Sequence, residues 1–223
     1  MSNGKLILVR HGLSVYNDQN RFTGWKDVEL NQQGIDEANQ AAVLLKDYKF
    51  DIAFTSALIR AQDTLNLILK GIDQEYLDVI KDKALNERNY GDLIGQNKAE
   101  AAEEFGKEQV QIWRRSYDIP PPGGESLKDT AERVIPYLES KILPHVFEGK
   151  NVIIGAHGNS IRAIVKELLN YSSELILKTE IGWCEPWIFE FNKLGEIEKL
   201  EILKIDPVSN SNLPELPTFI NKN

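Results

Sequence analysis

Two histidines stand in matching places in this chain. His11 follows the apolar run Leu6 to Val9 and Arg10, and Gly12 comes next. His157 follows Asn151 to Gly155 and Ala156, and Gly158 comes next. A neutral imidazole keeps one bare ring nitrogen that can act as a nucleophile. A glycine beside it lets backbone approach a ligand closely. A helix starting there offers free N–H groups that attract anions. One such histidine is ordinarily a loop residue satisfied by hydrogen bonds. The matched pair points to a shared anion-handling centre. His145, in Leu143-Pro144-His145-Val146, lacks this setting and takes no role.

Arginine usage agrees. Arg10, Arg21, Arg60, Arg88, Arg114, Arg115, Arg133 and Arg162 are the eight arginines, against eighteen lysines. Lysine therefore carries the plain surface charge. Arg10 adjoins the first His-Gly pair and Arg162 follows the second. The guanidinium fork suits phosphate or carboxylate. Arg133, on a plain helix, reads as a surface ion-pair residue, and Arg21 and Arg162 carry the same reading less strongly. Metal chemistry is a poor fit, because there is no Cys pair and no His-x-x-x-His. Gly91, Gly95 and Gly106 match no phosphate-binding P-loop.

These residues need a scaffold of 223 residues with a net charge of −8 and 42% hydrophobic content. That length buries a core without staples. The single cysteine excludes an internal disulfide framework and points to a reducing compartment, the cytoplasm. No apolar run is long enough to span a membrane, and the segment before Arg10 is too short for a signal peptide. The acidic balance argues against nucleic acid. Short apolar runs at Leu6–Val9, Asp51–Phe54, Leu77–Ile80 and Asn151–Gly155 read as strands. Residues 187–191 and 197–203 have strand composition. Helical stripes lie between them: Ile35, Ala38, Ala42 and Leu45; Leu58, Ala61, Leu65 and Leu69; Leu127, Ala131, Val134, Leu138 and Ile142; and Ile161, Ile164, Val165 and Leu168. Asn31 and Ser126 read as N-caps, and Pro136 should bend or shorten its helix.

The alternation predicts an α/β fold, a mainly parallel sheet flanked by helices on both faces. Ligands then bind beyond the carboxyl ends of the strands, where both His-Gly pairs lie. One domain over 1–205 is expected. An insertion of loops and short helices over 84–125 should cover the site, with Val110, Trp113 and Tyr117 on one helix face. A mobile tail is expected over 206–223.

Leu8-Val9-Arg10-His11-Gly12 with Gly155-Ala156-His157-Gly158 resembles the histidine phosphatase superfamily. Longer matches narrow this. They are Arg10-His11-Gly12-x-Ser14-x-x-Asn17, Asn20-Arg21-Phe22-Thr23-Gly24-Trp25, Leu85-Asn86-Glu87-Arg88-x-Tyr90-Gly91, Asn97-Lys98-Ala99-Glu100, Trp113-Arg114-Arg115 and His157-Gly158-Asn159-Ser160-x-Arg162. Together, from residue 5 to about 192, they resemble the cofactor-dependent phosphoglycerate mutases. The resemblance implies that His11 becomes phosphorylated, with Arg10, Arg60 and His157 around the phosphoryl group. His157 would be protonated or at least donate a hydrogen bond. It implies Glu87 as general acid/base, which on its own would read as a solvated acid. Ser14, Asn17, Thr23, Gly24, Gly158 and Asn159 would line the substrate. Arg88, Asn89, Tyr90, Lys98, Arg114 and Arg115 would hold its far anionic group. Trp113 and Trp25 read as packing residues.

The implied substrate is a small phosphoglycerate, the primer 2,3-bisphosphoglycerate, and no metal, nucleic acid or membrane takes part. A homodimer or homotetramer is implied. Three departures from the family pattern stand out. Leu13 replaces a usual Glu or Gln, Ile181-Gly182-Trp183-Cys184-Glu185-Pro186 replaces a usual Thr-Gly-x-Pro, and the stretch from Tyr117 to Gly124 is short. A phosphatase using the same His11 is the rival reading. A binding protein without activity is a third, opposed by intact His11, Glu87 and His157.

Overall fold

A computed structural model describes residues 4–205 and 211–216. In chain order the elements are β1 (Lys5–Arg10), a single turn α1 (Val15–Asp18), α2 (Gln32–Leu45), β2 (Ile52–Thr55), α3 (Ile59–Gly71) and β3 (Val79–Lys81). After two tight turns come α4 (Lys98–Phe105), α5 (Lys107–Arg115), α6 (Leu127–Tyr137) and α7 (Leu143–Phe147). The last are β4 (Val152–Ala156), α8 (Gly158–Leu168), α9 (Ser173–Lys178), β5 (Trp187–Phe191) and β6 (Ile197–Ile202).

The six strands form one sheet in the order β3-β2-β4-β1-β5-β6. The pairs β3–β2, β2–β4 and β4–β1 are parallel, while β5 and β6 join antiparallel. Leu6 to Val9 are fully buried, because both faces of β1 are covered. Leu6 and Leu8 pack with Val134 of α6 and Ile161 and Ile164 of α8. Ile7 and Val9, pointing the other way, pack with Ala38 and Leu45 of α2 and Leu65 of α3. This is the α/β arrangement that the alternation predicts.

Helix starts follow the expected chemistry. Asn31 Oδ1 accepts from Gly34 N at 2.9 Å, and Ser126 and Asp129 form a reciprocal capping box over α6. Pro136 stands in the last turn of α6, which ends at Tyr137, so the helix is shortened there as expected. The proline removes one backbone donor, and the chain responds with a wide π turn over Leu138–Ile142 that runs directly into α7. The helical path continues without a break. In the 84–125 insertion Val110 and Trp113 join a small cluster with Phe22, Leu93 and Ala101. Tyr117 does not share their face: α5 ends at Arg115, and Tyr117 packs against the main core cluster.

Residues 211–216 do not extend away from the sheet. Glu180 and Asn212 exchange both backbone hydrogen bonds at 3.0 Å, and Ser211 N donates to the buried Glu185 carboxylate at 2.8 Å. The remainder of the expected tail, 206–210 and 217–223, lies outside the described residues. No helix among the described residues is long and apolar enough to cross a membrane.

Candidate active site

Parallel pairing of β1 with β4 places Arg10 beside Ala156, so His11 and His157 emerge next to each other. His11 N donates to Ala156 O at 3.0 Å, and the two rings lie 5.0 Å apart, centroid to centroid. His11 Nδ1 lies 2.7 Å from Gly12 O. A carbonyl only accepts, so Nδ1 carries the proton and Nε2 is bare. Arg60 Nε donates to that Nε2 at 3.3 Å. Arg60 is fully buried and is held by Gly24 O at 2.9 Å and Lys26 O at 3.1 Å. Gly24 adopts φ +52° to present its carbonyl there, a conformation that glycine adopts without strain.

His157 Nε2 is 2.7 Å from Ser56 Oγ, which also accepts from Leu58 N. His157 Nδ1, the other ring nitrogen, has no hydrogen-bond partner among the described residues. Burial, followed by Arg60 and other nearby cationic or imidazole groups, holds both His11 and His157 well below the usual histidine range. Both are neutral at pH 7. Burial also lowers Arg10 and Arg60 to about 10, which leaves them charged at neutral pH.

The unfolded chain takes up protons on both histidines below about pH 6.5, while the folded chain does not. Stability therefore falls as pH drops below that point, by up to about 1.4 kcal/mol per pH unit for each histidine. Urea unfolding at pH 7.5 and pH 5.5 measures this; equal midpoints would contradict neutral histidines.

Arg10 is wrapped by the segment 181–186, one of the three departures noted in the sequence. Arg10 Nη1 donates to Ile181 O at 2.7 Å, Cys184 N donates to Arg10 O at 3.0 Å, and Arg10 Cζ lies 3.3 Å from the centre of the Trp183 ring. The same indole is 5.5 Å from the His11 ring. Cys184 sits at φ +53° with its side chain buried in the core. Leu13 bears on the site less directly, and its N–H is held by Glu37 at 2.8 Å.

The cavity beyond these strand ends is lined by Arg10, His11, Asn17, Thr23, Gly24, Arg60, Glu87, Tyr90, Lys98, Arg114, Arg115, Gly158 and Asn159, all expected from the sequence. Arg21, Phe22, Arg162 and Glu180 line it too. Arg21 and Arg162 both lie inside the motif runs, and that position was the available signal. Nothing in the sequence marked Glu180. Four expected residues stand outside the lining. His157 is fully buried beside His11. Ser14 caps α1 and donates to Asn17 Oδ1 at 2.7 Å. Arg88 is buried against the carbonyls of Trp113 and Arg114, and Asn89 Oδ1 accepts from Gly91 N. These two hold the loop through the contacts just given. Gly12 has a packing reason besides the one expected: a Cβ there would lie 2.3 Å from Gly34 O, so its bareness admits α2.

Glu87 is buried. Its Oε1 accepts from Arg88 N at 2.8 Å and from Asn159 N, at the start of α8, at 3.1 Å. Its backbone carbonyl accepts from Trp25 Nε1 at 2.6 Å and Arg133 Nη2 at 2.8 Å. Arg133 also donates to Ala84 O and Asn86 O and pairs with Glu125 through Nε and Nη2. It is a clamp on the Glu87 loop and not the surface residue that the sequence suggests. Replacing Arg133 by methionine is expected to cost about 2–3 kcal/mol, since it takes the side-chain donor from Ala84 O and Asn86 O, one of two donors from Glu87 O, and the cationic partner from the Glu125 carboxylate. Urea unfolding reads this; a loss under 0.5 kcal/mol would contradict the clamp.

Two further buried polar atoms, Thr23 Oγ1 and Arg10 Nε, belong to cavity-lining residues and have no partner among the described residues. With seven cationic side chains and two carboxylates on the walls, the cavity fits a small, multiply charged anion. Residues 6–200 match the family described as the histidine phosphatase superfamily, branch 1. The chain belongs to the histidine phosphatase superfamily. Within this superfamily it is 52% identical over 200 residues to a 2,3-bisphosphoglycerate-dependent phosphoglycerate mutase of Parvibaculum lavamentivorans, covering 89% of this chain and 95% of that one. A phosphoglycerate mutase of Schizosaccharomyces pombe is equally similar, at 52% over 200 residues with the same coverage. Among solved structures, a mycobacterial hydrolase superposes with a TM-score of 0.78 at 25% identity over 93% of this chain and all of that one. The phosphoglycerate mutase of Bacillus anthracis shares the fold, with a TM-score of 0.71 at 24% identity over 91% of this chain and 93% of that one.

Proposed function

We propose that the protein interconverts 3-phosphoglycerate and 2-phosphoglycerate through a phosphohistidine at His11, primed by 2,3-bisphosphoglycerate. The observation that carries this reading is the bare His11 Nε2 opening, together with the Glu87 carboxylate, into one cationic cavity. The 52% identity to mutases over most of the chain supports the choice among anionic substrates. His11 Nε2 attacks the phosphorus, and the departing oxygen takes a proton held by Glu87. Glu87 then accepts the proton of the attacking hydroxyl as phosphorus leaves His11. Arg10, Arg60 and His157 meet the charge spread over the phosphoryl oxygens. Thr23, Gly24, Asn17, Gly158 and Asn159 line the body of the substrate, and Tyr90, Lys98, Arg114 and Arg115 hold its far anionic end.

The protein works without metal in the cytoplasm, as a homodimer or homotetramer. Among the described residues no group of His, Cys, Asp and Glu is placed to hold a metal ion. The test is an enolase-coupled assay of the purified chain with and without the primer. Strong primer dependence is expected, unchanged by a chelator, and absence of 2-phosphoglycerate would sink the proposal. A second reading, transfer from His11 to water, is favoured by the fold shared with a mycobacterial hydrolase. Sustained phosphate release faster than isomerisation would select it.

A further inference from the structure

The cavity has two carboxylates. Glu87 has a place in the chemistry, and Glu180 does not. Glu180 Oε1 accepts from Arg115 Nη1 at 2.7 Å, and its Oε2 accepts from Arg162 Nη2 at 2.6 Å. One carboxylate thus occupies two of the cavity's arginines, in the geometry that a ligand carboxylate or phosphate would use. The Glu180 side chain is 40% exposed, so it has room to swing away. Its backbone is fixed: Glu180 exchanges two hydrogen bonds with Asn212, and the next residue's carbonyl holds Arg10. Any displacement is confined to the side chain.

We infer that Glu180 is an internal competitor for the far anionic group of the ligand. This rests on the reading of the cavity as a phosphoglycerate site. An incoming anion at Arg115 and Arg162 must break two charge-assisted hydrogen bonds before it makes its own. A single phosphate held between Arg10 and Arg60 breaks neither. The residue therefore lowers affinity selectively for ligands that carry a second anionic group. The consequence for turnover is direct. Moving a phosphoryl group between the two hydroxyls requires the doubly phosphorylated intermediate to turn and offer its other phosphate to His11. A carboxylate that reclaims the far arginines shortens the hold on each orientation.

The test is calorimetric titration of full-length protein in the His11→Ala background, where no transfer occurs, with and without Glu180→Gln and Glu180→Ala. Titrants are 2,3-bisphosphoglycerate and orthophosphate. Both Glu180 variants are expected to bind the bisphosphate about fivefold to tenfold more tightly, the size expected when two part-exposed ion pairs need not be broken. Orthophosphate affinity is expected to change less than about twofold. Unchanged or weaker bisphosphate binding in both variants would show that Glu180 preorganises the arginines, and the inference fails. Equal tightening of orthophosphate would show a general field effect, and it also fails. If the protein retaining Glu180 shows no bisphosphate binding at all, the proposed function falls first and the inference with it.

Discussion

His11→Ala is expected to lower isomerase turnover at least about 10⁴-fold, the scale seen when a covalent nucleophile is removed. Without Nε2 the phosphoryl group loses its proposed acceptor on the protein. Binding should survive much better than turnover. Arg60 keeps its hold on Gly24 O and Lys26 O, and Arg10 keeps Ile181 O and the Trp183 face. The variant should therefore still bind orthophosphate while acquiring no acid-labile phosphate from the bisphosphate, read by mass spectrometry. Residual turnover within tenfold of the parent would mean that another group accepts the phosphoryl.

What the sequence could disclose was set by which signals are local. Buried strands, N-caps and the two His-Gly junctions are carried by neighbouring residues, and β1, β4, Asn31 and Ser126 stand where the pattern places them. The adjacency of β1 and β4 is not local, since about 140 residues separate them; only the chemistry of the two histidines hinted at it. Side-chain direction was the weakest inference. Arg88 and Asn89 belong to a motif that does reach the cavity through Glu87 and Tyr90, yet their own side chains turn into the loop. Arg133 misled for the opposite reason. An arginine on a helix looks the same in sequence whether it meets water or the carbonyls of a loop almost fifty residues away. The Trp183 segment was visible as a departure, but its role needed the stacking on Arg10. Cys184 at a positive φ shows why that departure is tolerable: a buried side chain offsets a backbone cost of order 1–2 kcal/mol.

Glu87→Gln is expected to lower kcat by about 10²–10⁴-fold, the range for a lost general acid/base. The substitution separates chemistry from position. A glutamine Oε1 can still accept from Arg88 N and Asn159 N as Glu87 does, so the loop and the start of α8 keep their contacts. The amide cannot take the proton of the attacking hydroxyl or return it to the leaving oxygen. KM should change far less than kcat, and unfolding stability should stay within about 0.5 kcal/mol, as for a change that strands no buried group. Arg133 supplies the discriminating comparison. If its clamp on the Glu87 carbonyl serves catalysis by placing that carboxylate, Arg133→Met will lower kcat in the parent protein, by about tenfold. In the Glu87→Gln background it should add almost nothing to the loss of kcat, although its stability cost persists. Fully additive losses in kcat would mean that Arg133 acts on turnover by a route that bypasses Glu87. A Glu87→Gln enzyme within threefold of the parent would remove Glu87 from the chemistry altogether.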